Sequence, residues 1–277
     1  IPYSMGKKNG KEMLLDNLNS NSEPLLFVNY KNGIKHGAFK ELTYDDTLVS
    51  GVYNMGVLDG PFELKAKRVY YDDSYNEINY WNLERKGEYI GGVRNGLWTF
   101  YTTWGAKEWE GNMLDGKKSG VWKHFVTVGS EFGKVMEELE FKNDQLDGLV
   151  KVYFEILEIE KEDSVRVFKA VPQFETSRYL SGVLNGKYEK LDSLNRVLEQ
   201  GFYRLGKKFG KWIEVAHWSE DRVTPLIVCN GSYDNEEERD GLWSYTEVKS
   251  NQVIIKINYS HGLYDGKTES YSSSGVL

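Results

Sequence analysis

Pairs of glycines with three residues between them punctuate the chain, at Gly6/Gly10, Gly33/Gly37, Gly56/Gly60, Gly92/Gly96, Gly116/Gly120, Gly182/Gly186, Gly206/Gly210 and Gly262/Gly266. With 28 glycines in 277 residues, chance gives about three such pairs. A recurring spacing of this kind marks a repeat array, in which each unit is one supersecondary element stacked on its neighbours. Two further units fit with one glycine lost: residues 141–148, with Asp144 in the first slot, and residues 233–241, with one extra residue.

The positions around the glycines are as regular as the glycines. Three residues before the first slot stand Tyr3, Tyr30, Tyr53, Tyr89, Met113, Phe141, Tyr179, Tyr203, Tyr233 and Tyr259. Two residues after the second glycine come Phe39, Phe62, Trp98, Trp122, Val150, Tyr188, Trp212 and Trp243. Gly51, Gly87, Gly111, Gly201 and Gly231 lie two residues before Tyr53, Tyr89, Met113, Tyr203 and Tyr233. The basic unit is about 24 residues, the length of two strands with a tight turn and a connection.

These features read as a β-hairpin. Asn or Asp precedes the second glycine in seven units, and such a pair tolerates the positive φ of a tight connection, so either glycine is a candidate for the turn. In a strand, residues i and i+2 share a face, so each tyrosine has a bare glycine beside it over which a neighbouring ring can lie. Tyr30, Tyr53, Tyr89, Trp98, Trp122, Tyr203, Trp212 and Trp243 are therefore expected to build one aromatic seam in place of a globular core. The expected fold is all-β: an elongated, solenoid-like, single-layer antiparallel sheet of about ten stacked hairpins, continuous over 1–277. Two strands per unit at about 4.8 Å give roughly 95 Å for ten units.

The unit read whole in Gly201-Phe-Tyr203-Arg-Leu-Gly206-Lys-Lys-Phe-Gly210-Lys-Trp212 resembles the MORN-repeat variant common in bacterial proteins. It differs from the eukaryotic consensus in carrying a bulky ring where that form has another glycine. The resemblance spans nearly the whole chain. It implies a platform of stacked hairpins with a protein partner, as in antitoxin-like members, and implies no chemistry.

Composition narrows the function further. A net charge of −7 opposes binding to phosphate backbones, so no nucleic acid is expected. No stretch approaches the roughly 20 apolar residues of a spanning helix, and membrane contact is not expected of this segment. The single cysteine, Cys229, excludes an internal disulfide framework and leaves cytoplasmic and cell-envelope or secreted locations equally open. The chain opens inside a unit at Tyr3 and ends in a linker-like Tyr271-Ser-Ser-Ser, which predicts a longer parent protein.

No enzyme is expected, since catalysis needs polar groups converging on one site. His36 precedes a second glycine, His261 a first one, and His124 and His217 follow at unrelated offsets, with no paired-histidine spacing. Gly262-Leu-Tyr-Asp-Gly266-Lys267-Thr268 has three residues between its glycines where a phosphate loop needs four. The acidic run 234–238 reads as a solvated loop. Lys8, Lys35, Arg94, Lys118 and Lys208 share one slot between the glycines and read as solvated loop tips. Neither a metal nor a cofactor is expected.

Length beyond the basic unit is more informative, because arrays accept insertions at their edges, often on the binding side. Inserted hairpins are expected at about 68–85, 153–174 and 216–224. The first concentrates Tyr70, Tyr71, Tyr75, Tyr80 and Trp81 around a turn near Asp72 and Asp73, and is the expected partner-binding site. A protein partner is expected there, with a carbohydrate or envelope polymer as the alternative.

Overall fold

The computed structural model describes residues 2–13, 26–43, 47–72, 74–75, 77–129, 131–160, 166–219 and 225–271, with backbone alone for 79, 154–160 and 166–173. Asp73, the turn of the second inserted hairpin at 162–164, and residues 220–224 of the third lie outside them. The fold is all-β, without helix and with 74% strand: an antiparallel sheet of consecutive hairpin strands, not closed into a barrel. The chain forms two compact units, one of Ile1–Thr127, Glu131–Lys134 and Lys142–Asp144, the other of Val128–Ser130, Val135–Phe141 and Gln145–Leu277.

The first glycine of each pair makes the turn. Both central residues have positive φ at Met5/Gly6, Asn32/Gly33, Met55/Gly56, Gly91/Gly92, Asp115/Gly116, Asn143/Asp144, Ser181/Gly182, Leu205/Gly206 and His261/Gly262. Two such residues in succession define the type I′ connection, whose twist matches that of the flanking strands. The Asn or Asp before the second glycine is therefore outside the turn, and has a different task. Its side chain accepts the N–H that opens the next turn: Asn9 from Asn32 at 3.4 Å, Asp59 from Gly91 at 3.2 Å, Asn185 from Leu205 at 3.2 Å. His36 does the same through Nδ1, 3.3 Å from the Met55 nitrogen.

Turns are also joined backbone to backbone. In the first unit the N–H groups of Gly33, Gly56, Gly92 and Gly116 donate to the carbonyls of Lys8, Lys35, Leu58 and Arg94 at 2.7–2.9 Å. In the second, Gly182, Gly206 and Gly262 donate to Leu146, Leu184 and Arg239 at 2.7–2.9 Å. Each of these turns is held by the hairpin before it, so within each unit backbone bonding extends from the strands into the turns.

The second glycine sits inside a strand, opposite the tyrosine of the next hairpin: Gly37 pairs with Tyr53, Gly60 with Tyr89, Gly186 with Tyr203, Gly210 with Tyr233. A β-bulge accompanies it, with register shifts at 86/88, 110/112, 200/202 and 230/232. The bulge frees a carbonyl, and the tryptophan takes it. Nε1 of Trp98, Trp122, Trp212 and Trp243 donates to the carbonyl of Glu88, Asn112, Phe202 and Ser232 at 3.0–3.3 Å.

The core follows from this. Trp98, Trp122 and Trp243 are 0% exposed and Trp212 1%, each lying on the bare glycine of its own hairpin. A methyl group added at Gly87, Gly111, Gly201 or Gly231 would meet the indole at 2.2–2.3 Å. In the first unit ring contacts run Phe62, Tyr89, Trp98, Phe100, Trp122 at 5.1–6.2 Å. In the second they run Tyr188, Tyr203, Trp212, Tyr233, Trp243, Tyr259 at 5.0–6.5 Å.

Candidate functional site

Strands Val57–Tyr71 and Glu77–Ile90 pair from Gly60 opposite Tyr89 to Tyr71 opposite Glu77. The neighbouring strand Thr47–Asn54 stops pairing at Ala66, and Val93–Tyr101 begins only at Arg85. Beyond those points the hairpin continues as a two-stranded ribbon, so its side chains have no neighbouring strand to bury them. Tyr70 is 50% exposed, Tyr71 64%, Tyr75 89% and Tyr80 37%, while Trp81 is half-buried.

Alternation divides the rings between two faces. Tyr70 and Tyr80 share one and meet edge to face, 5.7 Å between centroids. Tyr71 and Trp81 fall on the other. At the tip, Asp72 accepts the Ser74 N–H on Oδ1 at 2.9 Å and the Tyr75 N–H on its carbonyl at 2.9 Å. Asp72 thus shapes the turn that presents Tyr75, whose φ of 62° is itself left-handed. Arg68 closes the base of the ribbon on Glu84 at 2.6 Å.

The other residues singled out in the sequence lie elsewhere. Tyr30, Tyr53, Tyr89 and Tyr203 are half-buried, Tyr89 and Tyr203 in the ring rows and Tyr53 against Phe39, and the four tryptophans are buried. The slot cations lie over these rings instead of standing in solvent. Lys8 is 4.8 Å from the Tyr30 centroid, Lys35 5.1 Å from Tyr53, Arg94 4.7 Å from Trp98, Lys118 4.7 Å from Trp122 and Lys208 4.5 Å from Trp212. Lys8 and Lys35 also pair with Glu12 and Glu41 at 2.9 and 2.7 Å. Their charge is compensated inside the array.

One polar knot sits in the ring row of the second unit. Glu214, 9% exposed, accepts from Lys208 Nζ at 2.9 Å, Arg239 at 2.6 Å and Tyr233 Oη at 3.1 Å. Burial pushes its carboxyl upward, but the bonds from Lys208 and Arg239 outweigh it and hold the pKa below the ordinary value. The same burial, with Glu214 beside it, raises the Cys229 thiol to about 11, which leaves it a protonated, unreactive packing group.

The reverse face of this unit carries an open groove of about 760 Å³, floored by the backbone at Gly201, Gly210 and Gly231 and walled by Phe202, Phe209, Lys211 and Leu242. Gln200, Asn230 and Ser232 supply its polar groups. The equivalent groove of the first unit, about 440 Å³, is walled by Glu63, Lys86, Glu88 and Leu97. Sequence reading missed both, because a groove on the far side of a glycine row appears only once it is known which side the rings take. No protein-family model matches the chain, and no curated protein matches it.

Proposed function

We propose that this chain is a non-catalytic scaffold of MORN-variant hairpins that binds a protein partner of the immunity or antitoxin kind through the ring-bearing ribbon. The observation that carries this reading is the exposure of Tyr70, Tyr71, Tyr75 and Tyr80 on a hairpin that has outrun its neighbouring strands. Rings of this size anchor interfaces because each buries a broad rigid surface at little entropic cost. Four tyrosines left in water on a two-sided ribbon are compatible with a partner that grips both faces.

A second reading, binding of a carbohydrate or envelope polymer, is favoured by the groove at Phe202 and Asn230, which combines the exposed Phe202 ring with amides and a hydroxyl. One experiment separates the two. Residues 71–80 are replaced by an Asn-Gly turn, and parent and shortened protein are matched for melting temperature. Each is then used to capture proteins from extract and to bind a panel of glycans. Loss of protein capture on shortening supports the first reading. Glycan binding that survives shortening and is lost in Phe202→Ala supports the second, and undiminished protein capture by the shortened protein overturns the first.

A further inference from the structure

On the glycine-marked side of the array, nine described turns close in two residues of positive φ, and the hairpin of Pro225–Tyr233 and Arg239–Glu247 does not. Its strands pair from Tyr233 opposite Arg239, which leaves the five residues 234–238 as a loop. A hairpin needs no such length to close. The loop is ordered by Asp234, whose Oδ1 accepts the N–H groups of Glu236 at 3.0 Å and Glu238 at 2.8 Å. With Oδ1 committed to the backbone, Oδ2 points outward from the loop.

What it meets is the next turn. Gly262 donates to the Arg239 carbonyl at 2.9 Å, so the turn His261/Gly262 is pinned against the loop. His261 Nδ1 lies 2.9 Å from Asp234 Oδ2. Glu238 closes the third side: one donor atom from each of Asp234, Glu238 and His261 lies within 4.8 Å of the other two. The imidazole is largely exposed and the Asp234 side chain only 11% exposed, so the set is fixed at its base and open at its top.

We propose that Asp234, Glu238 and His261 form a site for a divalent transition-metal ion of the zinc class. Three side chains from two hairpins supply one nitrogen and two carboxylate oxygens, a mixed set that suits zinc, cobalt or nickel. Calcium takes six to eight oxygens and magnesium keeps most of its water. Donors at zinc distances of 2.0–2.2 Å stand about 3.4 Å apart around a tetrahedral ion, so a rotation of the exposed Glu238 completes the closure. The ion displaces the His261–Asp234 hydrogen bond, and water fills its remaining positions. Glu236 and Asp240 add negative potential at His261, which favours a dication at a point where carboxylates outnumber cationic groups. Bound there, the ion ties the loop of one hairpin to the turn of the next, a junction held elsewhere by backbone and side-chain hydrogen bonds such as Gly33 to Lys8 and Asn32 to Asn9.

The test is calorimetric titration of the tag-free protein with zinc chloride in a non-chelating buffer, with calcium chloride as a second arm. His261→Asn keeps a residue at ease in the left-handed turn, Asp234→Asn keeps a backbone acceptor, and His36→Ala removes an unrelated turn histidine. The expected result is saturable binding of one zinc per chain, preserved in His36→Ala. Affinity should fall in His261→Asn and Asp234→Asn by at least the ~10-fold that losing even an outer partner costs. Zinc should also raise the melting temperature of the parent and of His36→Ala alone. Absence of zinc binding, zinc binding that is equal in His261→Asn, or calcium binding as tight as zinc would each overturn the assignment.

Discussion

At the scale of the residue, the two kinds of glycine in each unit are constrained by different physics. Gly201 has no unusual φ, but an added methyl would sit 2.2 Å from the Trp212 ring. Gly210 has open space around it and a φ of +67°. Gly201→Ala should therefore cost roughly 1–3 kcal/mol or more through overpacking, and Gly210→Ala about 1 kcal/mol through backbone strain. Thermal melts of the two variants check the order, and an equal loss would mean that the ring can move aside. The pairing of a bare glycine with a ring was legible from spacing alone, since i and i+2 share a face. Which glycine turns the chain was not, because the first and second glycines of a pair, such as Gly206 and Gly210, both carry positive φ and the Asn or Asp that seemed to mark the turn is spent on the next one.

At the scale of the element, Glu214 shows how neighbouring strands are pinned. It sits on Lys207–Trp218 and takes hydrogen bonds from Tyr233 on Pro225–Tyr233 and from Arg239 on Arg239–Glu247. Its folded pKa lies below the ordinary 4.5, so its contribution is fully present above that value and is lost as pH falls through the folded one. Glu214→Gln should lower stability at neutral pH by roughly 1.5–3 kcal/mol, the scale of a charged hydrogen bond, and should flatten the loss of stability below about pH 4.5. Denaturant melts from pH 7 to pH 3 read both effects, and parallel curves for the two proteins would refute the role. The strand that carries Glu214 was legible as the second half of a repeat. The knot was not, because its members come from three strands and meet only when the register is known. The ribbon at 68–85 was visible as surplus length and surplus tyrosine, whereas the use of Asp72 to shape its tip depended on the backbone conformation there.

At the scale of the whole molecule, stability is spread along the chain and not gathered in one centre. Trp98, Trp212 and Trp243 touch rings of their own hairpin and of an adjacent one, and Trp122 touches Phe100 of the adjacent hairpin. Trp98→Ala should cost about 3–5 kcal/mol locally. By hydrogen exchange with mass spectrometry, it should speed exchange in Val57–Tyr71 through Lys107–Leu114 and leave Pro225–Tyr233 and Gln252–Ser260 unchanged. Uniform acceleration across all four would mean that the array unfolds as one body. The turns gain a further meaning here. Within each unit the glycine turns are bonded each to the last, as Gly56 to Lys35 and Gly206 to Leu184, while the ribbon at 68–85 runs on past the points, Ala66 and Arg85, where its neighbouring strands stop pairing. Within each unit the turn side behaves like the bound spine of a book and the side that carries the ribbon like its pages. Sequence inserted among the pages leaves the binding in place, so on the proposed partner-binding role a gene of this kind can change what it recognises faster than it changes what it is.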